Sequence, residues 1–176
     1  MADSKRKALI AGSFDPVTSG HLDIIKRAST MFDTIYVVCF NNTSKKNMFT
    51  PAQREEMLRI ACSGLDNVIT SSHEGLLADF AKEHGINVII KGIRDSNDLA
   101  YELDLATINR TIDPDLDTIF MPARPELTHI SSSFVRDVIK YGRYIKGILP
   151  DGVEEYIRAV EKPVEISAHE KSDYVV

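Results

Sequence analysis

A histidine at the start of an amphipathic helix, after a short apolar run and a glycine/serine turn, gives this chain its best phosphate-holding arrangement. The residues are Ala8-Leu9-Ile10-Ala11, then Gly12-Ser13-Phe14-Asp15-Pro16, then Thr18-Ser19-Gly20-His21. The first backbone N–H groups of a helix lack internal partners and sit at the positive end of its dipole. An anion there gains donors and about 0.3–1 kcal/mol of attraction. His21 adds a side-chain donor at the same point. A second group, Lys91-Gly92-Ile93-Arg94, ends another apolar run. Two neighbouring cations repel unless an anion or carboxylate stands between them, and Glu102 on the following helix is a candidate for that carboxylate. Lys45, in Ser44-Lys45-Lys46, and the run Ser131-Ser132-Ser133 complete the polar set. Each has a plainer reading: Asp15-Pro16 as a turn, Ser131 as a helix cap, His21 as packing or capping, Lys45 as a solvated loop, Lys91 and Arg94 as salt-bridge partners.

The elements that must position these residues alternate. Apolar, β-rich runs at 8–11, 34–40, 68–70, 88–90 and 118–121 are separated by helical patterns near 20–32, 51–63, 75–84 and 96–110. Leu22, Ile25, Ala28 and Phe32 share one face of the first helix, with Lys26 and Arg27 off it. Thr50-Pro51 opens the second helix with a cap and a first-position proline. A later amphipathic helix carries Phe134, Val135, Val138 and Ile139 and ends at Gly142, and a last one runs from Pro150-Asp151-Gly152 to about Val160. The alternation predicts an α/β fold: a Rossmann-like open parallel five-stranded sheet with helices on both faces and C-terminal helices. Ligands of such sheets bind beyond the carboxyl ends of the strands, where the residues named above fall. The pattern predicts one domain over 1–160 and a C-terminal tail over 161–176 whose removal leaves folding and catalysis nearly intact.

Composition narrows the function classes. With 176 residues, 43% hydrophobic and 27% charged, the chain can bury a sizeable core without staples. A net charge of −5 argues against general nucleic-acid binding. Cys39 and Cys62 lack metal-ligand spacing and read as small buried hydrophobes. No apolar run approaches 18 residues, so the expected location is cytoplasmic, with no membrane partner.

The motifs Gly-Ser-Phe-Asp-Pro-x-Thr-x-Gly-His at 12–21, Ser44-Lys45-Lys46-x-Met48-Phe49, Lys91-Gly92-Ile93-Arg94 with Tyr101-Glu102, and Ile130-Ser131-Ser132-Ser133 occur in this order. Together they resemble the nucleotidylyltransferase superfamily with its (Thr/His)-x-Gly-His signature, and within it the bacterial phosphopantetheine adenylyltransferase family. The resemblance implies transfer of AMP from MgATP to the 4′-phosphate of phosphopantetheine, giving dephospho-coenzyme A and pyrophosphate. The implied attack is in line, without a covalent enzyme intermediate.

By the same resemblance His21, Lys45 and Arg94 are the catalytic residues. ATP is contacted by Ser13, Phe14, His21, Gly92, Ile93, Arg94, Glu102, Leu127, Thr128, His129, Ile130, Ser131, Ser132 and Ser133. Phosphopantetheine is contacted by Ser13, Lys45, Leu77 and Lys91. Mg2+ comes with ATP, with no dedicated protein metal site. A homohexamer and feedback binding of coenzyme A are also implied. Ser13 stands where threonine is commoner, Lys91 where arginine is usual, and Leu127 where an aromatic residue can occur. Lysine keeps the charge of arginine without its bidentate fork. The nearest alternative is an adenylyltransferase or cytidylyltransferase acting on nicotinate mononucleotide or a polyol phosphate, though Thr18 and the late serine motif favour the phosphopantetheine branch. A non-catalytic nucleotide-binding scaffold is opposed by the joint presence of His21, Lys45 and Arg94.

Overall fold

The computed structural model describes residues 5–41 and 47–160. Five strands form one parallel sheet: β1 (Lys7–Gly12), β2 (Thr34–Phe40), β3 (Val68–His73), β4 (Val88–Ile93) and β5 (Asp117–Pro122), in the order β3-β2-β1-β4-β5. The helices are α1 (Ser19–Ser29), α2 (Pro51–Ala61), α3 (Leu77–Glu83), α4 (Ser96–Ile112), α5 (Ser132–Lys140) and α6 (Val153–Val160). The order reverses direction between β1 and β4, and the connections leaving those two strands diverge. That is the crevice where open α/β sheets take ligands.

Two apolar layers cover the sheet. Ala8, Ile10, Val37 and Ile90 pack with Ile24, Ile25 and Ala28 of α1, Met57 and Leu58 of α2, Val135 and Ile139 of α5, and Ile157 of α6. Leu9, Val38 and Ile89 pack with Ala78, Phe80 and Ala81 of α3. Residues alternate between the two layers along β1, β2 and β4, as the pleat requires. Both cysteines lie in the first layer, as small buried hydrophobes should. Burial raises the Cys62 thiol pKa to about 11.

Several boundaries differ from the sequence expectation for local reasons. α1 ends at Ser29, because Thr30 caps it and turns its hydroxyl onto Arg27 O. Phe32 still packs on the core from the connection. β3 extends through the polar Ser71-Ser72-His73, paired to β2 by backbone bonds that hydropathy does not report. α3 starts late, since Gly75 at φ +133° cannot continue a helix. A turn of 3-10 helix, Pro125–Leu127, interrupts the connection after β5. α5 ends as expected: Gly142, at φ +63°, donates to Ile139 O at 2.7 Å.

Candidate active site

The crevice opens as a cleft of about 540 Å3, bounded by the exits of β1 and β4, the first turns of α1 and α5, and α4. Its position follows from the sheet order, and its chemistry follows from how each edge is built.

Thr18 caps α1 in a reciprocal box. Its side chain accepts from His21 N at 3.4 Å, and its own backbone N–H donates to His21 Nδ1 at 3.1 Å. Nδ1 is therefore an acceptor without a proton. Desolvation by burial, and secondarily the charge of Arg94, lower the His21 pKa to about 4. At neutral pH the ring is uncharged, with its hydrogen on Nε2, the nitrogen left for the cleft that His21 lines. Phe14 packs edge-to-face on this ring at 5.1 Å between centroids, and its backbone is held at φ +45°. For a bulky L-residue that is a strained conformation, of the kind found where a chain must turn sharply beside a ligand.

The turn between β1 and α1 is fastened from three sides. The Asp15 carboxylate is buried and accepts from Met48 N and Phe49 N, both at 2.9 Å. Arg136 of α5 donates to Asp15 O at 2.7 Å, and its guanidinium lies 3.6 Å from Asp15 Oδ2. From beneath, Arg54 of α2 donates to Ser13 O at 2.9 Å and to Asn41 Oδ1 at 2.6 Å. Arg54 is only 1% exposed, and its Nε has no hydrogen-bond partner among the described residues. A charge so buried is retained at a cost, and what it holds here is the β1 exit against the β2 exit.

The serine run divides its tasks. Ser131 caps α5 by accepting from Phe134 N at 3.1 Å, Ser132 donates to Pro16 O at 2.9 Å, and Ser133 accepts from Arg136 at 2.9 Å. The N-terminus of α5 thus faces the cleft beside that of α1, and the two positive helix ends converge on one volume.

Lys91 and Arg94 do not share one carboxylate. Arg94 makes a two-pronged contact with Asp98, Nε to Oδ2 at 2.7 Å and Nη2 to Oδ1 at 3.0 Å. The hydrogen bonds from Arg94 hold the Asp98 pKa below its usual value. Lys91 instead stands 3.2 Å from Glu102 Oε2. That oxygen is buried and accepts no well-aligned hydrogen bond among the described residues. The three acids on the cleft wall, Asp15, Asp98 and Glu102, are each matched by a cation, so the two helix ends are left to favour an anion.

Of the residues named from sequence, Ser13, His21, Gly92, Arg94, Glu102, Leu127, Ile130, Ser131, Ser132 and Ser133 line the cleft together. Phe14, Ile93, Thr128, His129, Lys91 and Leu77 do not. The Phe14 ring is buried under it, Ile93 O is bonded to Ala123 N, and Thr128 and His129 are exposed on the connection before α5. Leu77 begins α3 and packs on the opposite layer, while Lys91 reaches the cleft only through Glu102. Lys45 lies outside the described residues. Sequence reasoning passed over Asp98 and Arg136. Their spacing was the available signal: Asp98 lies four residues after Arg94, and Arg136 three after Ser133, both one helical turn. Among the described residues no group of three or more His, Cys, Asp or Glu comes together in a way that could hold a metal ion. No helix among them is long and apolar enough to cross a membrane.

A parallel open sheet with an anion-favouring cleft at its switch point defines a nucleotide-binding class of α/β protein. Residues 9–138 match the family model described as cytidylyltransferase-like. A crystal structure of a "putative nicotinate-nucleotide adenylyltransferase" from Vibrio parahaemolyticus superposes with a TM-score of 0.66 over 88% of this chain and 93% of that one. At 17% identity that likeness shows the fold. Two relatives are much closer in sequence, and both are named phosphopantetheine adenylyltransferase. The one from Clostridium tetani is 43% identical over 85% of this chain and 94% of its own length. The one from Symbiobacterium thermophilum is 44% identical over 82% and 89%. The chain belongs to the phosphopantetheine adenylyltransferase family, within the cytidylyltransferase-like class.

Proposed function

We propose that the cleft transfers the adenylyl group of MgATP to the 4′-phosphate of phosphopantetheine, releasing pyrophosphate and forming dephospho-coenzyme A. The observation that carries the reading is the neutral His21, locked by Thr18 with its Nε2 hydrogen free between two helix N-termini. An acceptor phosphate oxygen, already anionic, attacks the α-phosphorus. A new P–O bond forms as the bond from the α-phosphorus to the bridging oxygen breaks, and pyrophosphate carries off the electron pair. No protein nucleophile or base is needed. The protein's contribution is alignment and stabilisation of the charge that builds on the phosphoryl oxygens.

In this reading His21 Nε2–H donates to the α-phosphate. Arg94 exchanges Asp98 for the β- and γ-phosphates, helped by the α5 N-terminus at Ser131, Ser132 and Ser133. Glu102, which lines the cleft, offers its carboxylate to a hydroxyl donor of the nucleotide. Ile24, Ala123, Leu127 and Ile130 supply an apolar stretch of wall for the base. Lys45 and Lys91 act on the acceptor phosphate, Lys91 by moving from Glu102. Magnesium enters with ATP and supplies charge neutralisation on the phosphates.

The resemblance also supports a cytoplasmic enzyme, occupancy of the acceptor site by coenzyme A, and a homohexamer. Coenzyme A shares the pantetheine arm, so it competes with the acceptor. α4 supports assembly. None of its 17 residues is buried, and Leu99, Tyr101, Leu103, Ile108 and Ile112 are exposed along it.

The deciding assay follows pyrophosphate release from ATP with phosphopantetheine or nicotinate mononucleotide as acceptor. Release with phosphopantetheine alone is expected. Release with nicotinate mononucleotide alone, or ATP binding without release, overturns the reading.

A further inference from the structure

The segment that leaves β5 and forms the apolar wall of the cleft is tied to α1 by an ionic clamp outside the cleft. Asp23 sits two residues beyond His21, and its carboxylate is only 15% exposed. One oxygen, Oδ1, takes Arg124 Nε at 2.7 Å. The other, Oδ2, takes Arg27 Nη1 at 3.2 Å, and that same nitrogen donates to Pro122 O at 2.9 Å. One carboxylate therefore grips the wall segment twice, at Arg124 directly and at Pro122 through Arg27. Between those grips lies Ala123, and just beyond them lie Leu127 and Ile130, the wall itself.

The segment needs such a grip. β5 is an edge strand, so the chain leaving it has a neighbour on one side only. Among the described residues its backbone-to-backbone hydrogen bonds, apart from Ala123 N to Ile93 O, are internal: Leu127 N to Arg124 O and Ile130 N to Leu127 O. We propose that Asp23, through Arg124 and Arg27, is a positioning residue that sets the spacing between the phosphate donor on α1 and the base-facing wall, and so governs nucleotide affinity and base selectivity. This rests on the reading of the cleft as the ATP site. His21 and Asp23 share the first two turns of one rigid helix, so the clamp fixes the wall in the same frame as the phosphate donor.

The test compares wild-type protein with Asp23→Asn, Arg124→Ala and Arg124→Lys. It measures kcat, the KM of each substrate, turnover with CTP in place of ATP, and Tm. For Arg124→Ala and Asp23→Asn the KM for ATP is expected to rise about 5-fold, the scale of one partly exposed ion pair. kcat, the KM for phosphopantetheine and Tm stay near wild type, and the preference for ATP over CTP narrows. Arg124→Lys, which keeps the charge, restores most of the ATP KM. Unchanged KM and selectivity overturn the proposal. So does an equal rise in both KM values, or a fall in Tm with kinetics per folded molecule unchanged, either of which makes the clamp merely structural. Wild-type protein that fails to use ATP overturns the functional reading itself, whereas normal wild-type turnover with unaffected variants overturns the clamp alone.

Discussion

At the scale of single residues, His21 both completes a helix cap and lines the cleft, which is where the proposed chemistry needs it. Its Nδ1 completes the helix cap with Thr18, and that commitment hands the proton to Nε2. His21→Ala is therefore expected to lower kcat by roughly 10²–10³-fold, the scale for losing one preorganised donor, with a smaller change in the ATP Kd. Kinetics and a binding isotherm on one preparation check it; a Tm loss with turnover per folded molecule intact would return His21 to capping alone. Acid stability gives a second readout. The folded-state pKa is depressed to about 4 from 6.5, so the unfolded chain binds this proton first as pH falls. Stability is complete above about pH 6.5 and declines toward pH 4, and in His21→Ala this part of the slope is absent. Urea midpoints across that range measure it.

The gathering of His21, Arg94 and the serine run around one cleft was legible in the sequence because motif spacing put them at strand exits and helix starts. Arg54 and Asp15 were not legible as fasteners. Their partners, Ser13 O, Met48 N and Phe49 N, are backbone groups brought near by folding, and a sequence does not display such groups.

Among the elements, α5 matters most to the proposed anion site, since its first turn lines the cleft and brings the positive end of the helix to it. Ser131→Ala removes the cap accepted from Phe134 N. The expected cost is about 1 kcal/mol, or roughly 2–4 °C in Tm for a chain of this size, with a higher KM for ATP as the first turn frays. Calorimetry and initial rates check both. Periodicity revealed α1, α2, α5 and α6 because each buries an apolar stripe. It placed α4 without its faces, since that helix buries no residue. It missed the 3-10 turn at Pro125–Leu127, which is too short to carry a period. Gly92 belongs to this scale as well: a β-carbon there would stand 3.1 Å from Ile24 Cγ1, so a side chain at this point would press on Ile24 where β4 meets α1.

For the molecule as a whole, the exposed apolar residues of α4 predict self-association. Ile108 is 53% exposed, and Ile108→Asp is expected to shift sedimentation to a lower mass while leaving the secondary structure unchanged. Unaltered mass would place the contact elsewhere.

The distances along the chain across which the cleft is stitched together carry a further consequence. β1 pairs with β4 through Leu9 and Ile89; Ser132 reaches back to Pro16 across 116 residues, and Arg136 to Asp15 across 121. Closing loops of that size costs entropy before any contact returns it, so local helices can form early while the cleft must wait. During synthesis the cleft is incomplete until α5 has left the ribosome, and a refolding chain is expected to regain nucleotide binding in its slowest phase, after most of its helical signal. Nucleotide present from the start would then stabilise the finished protein without hastening most of the route to it.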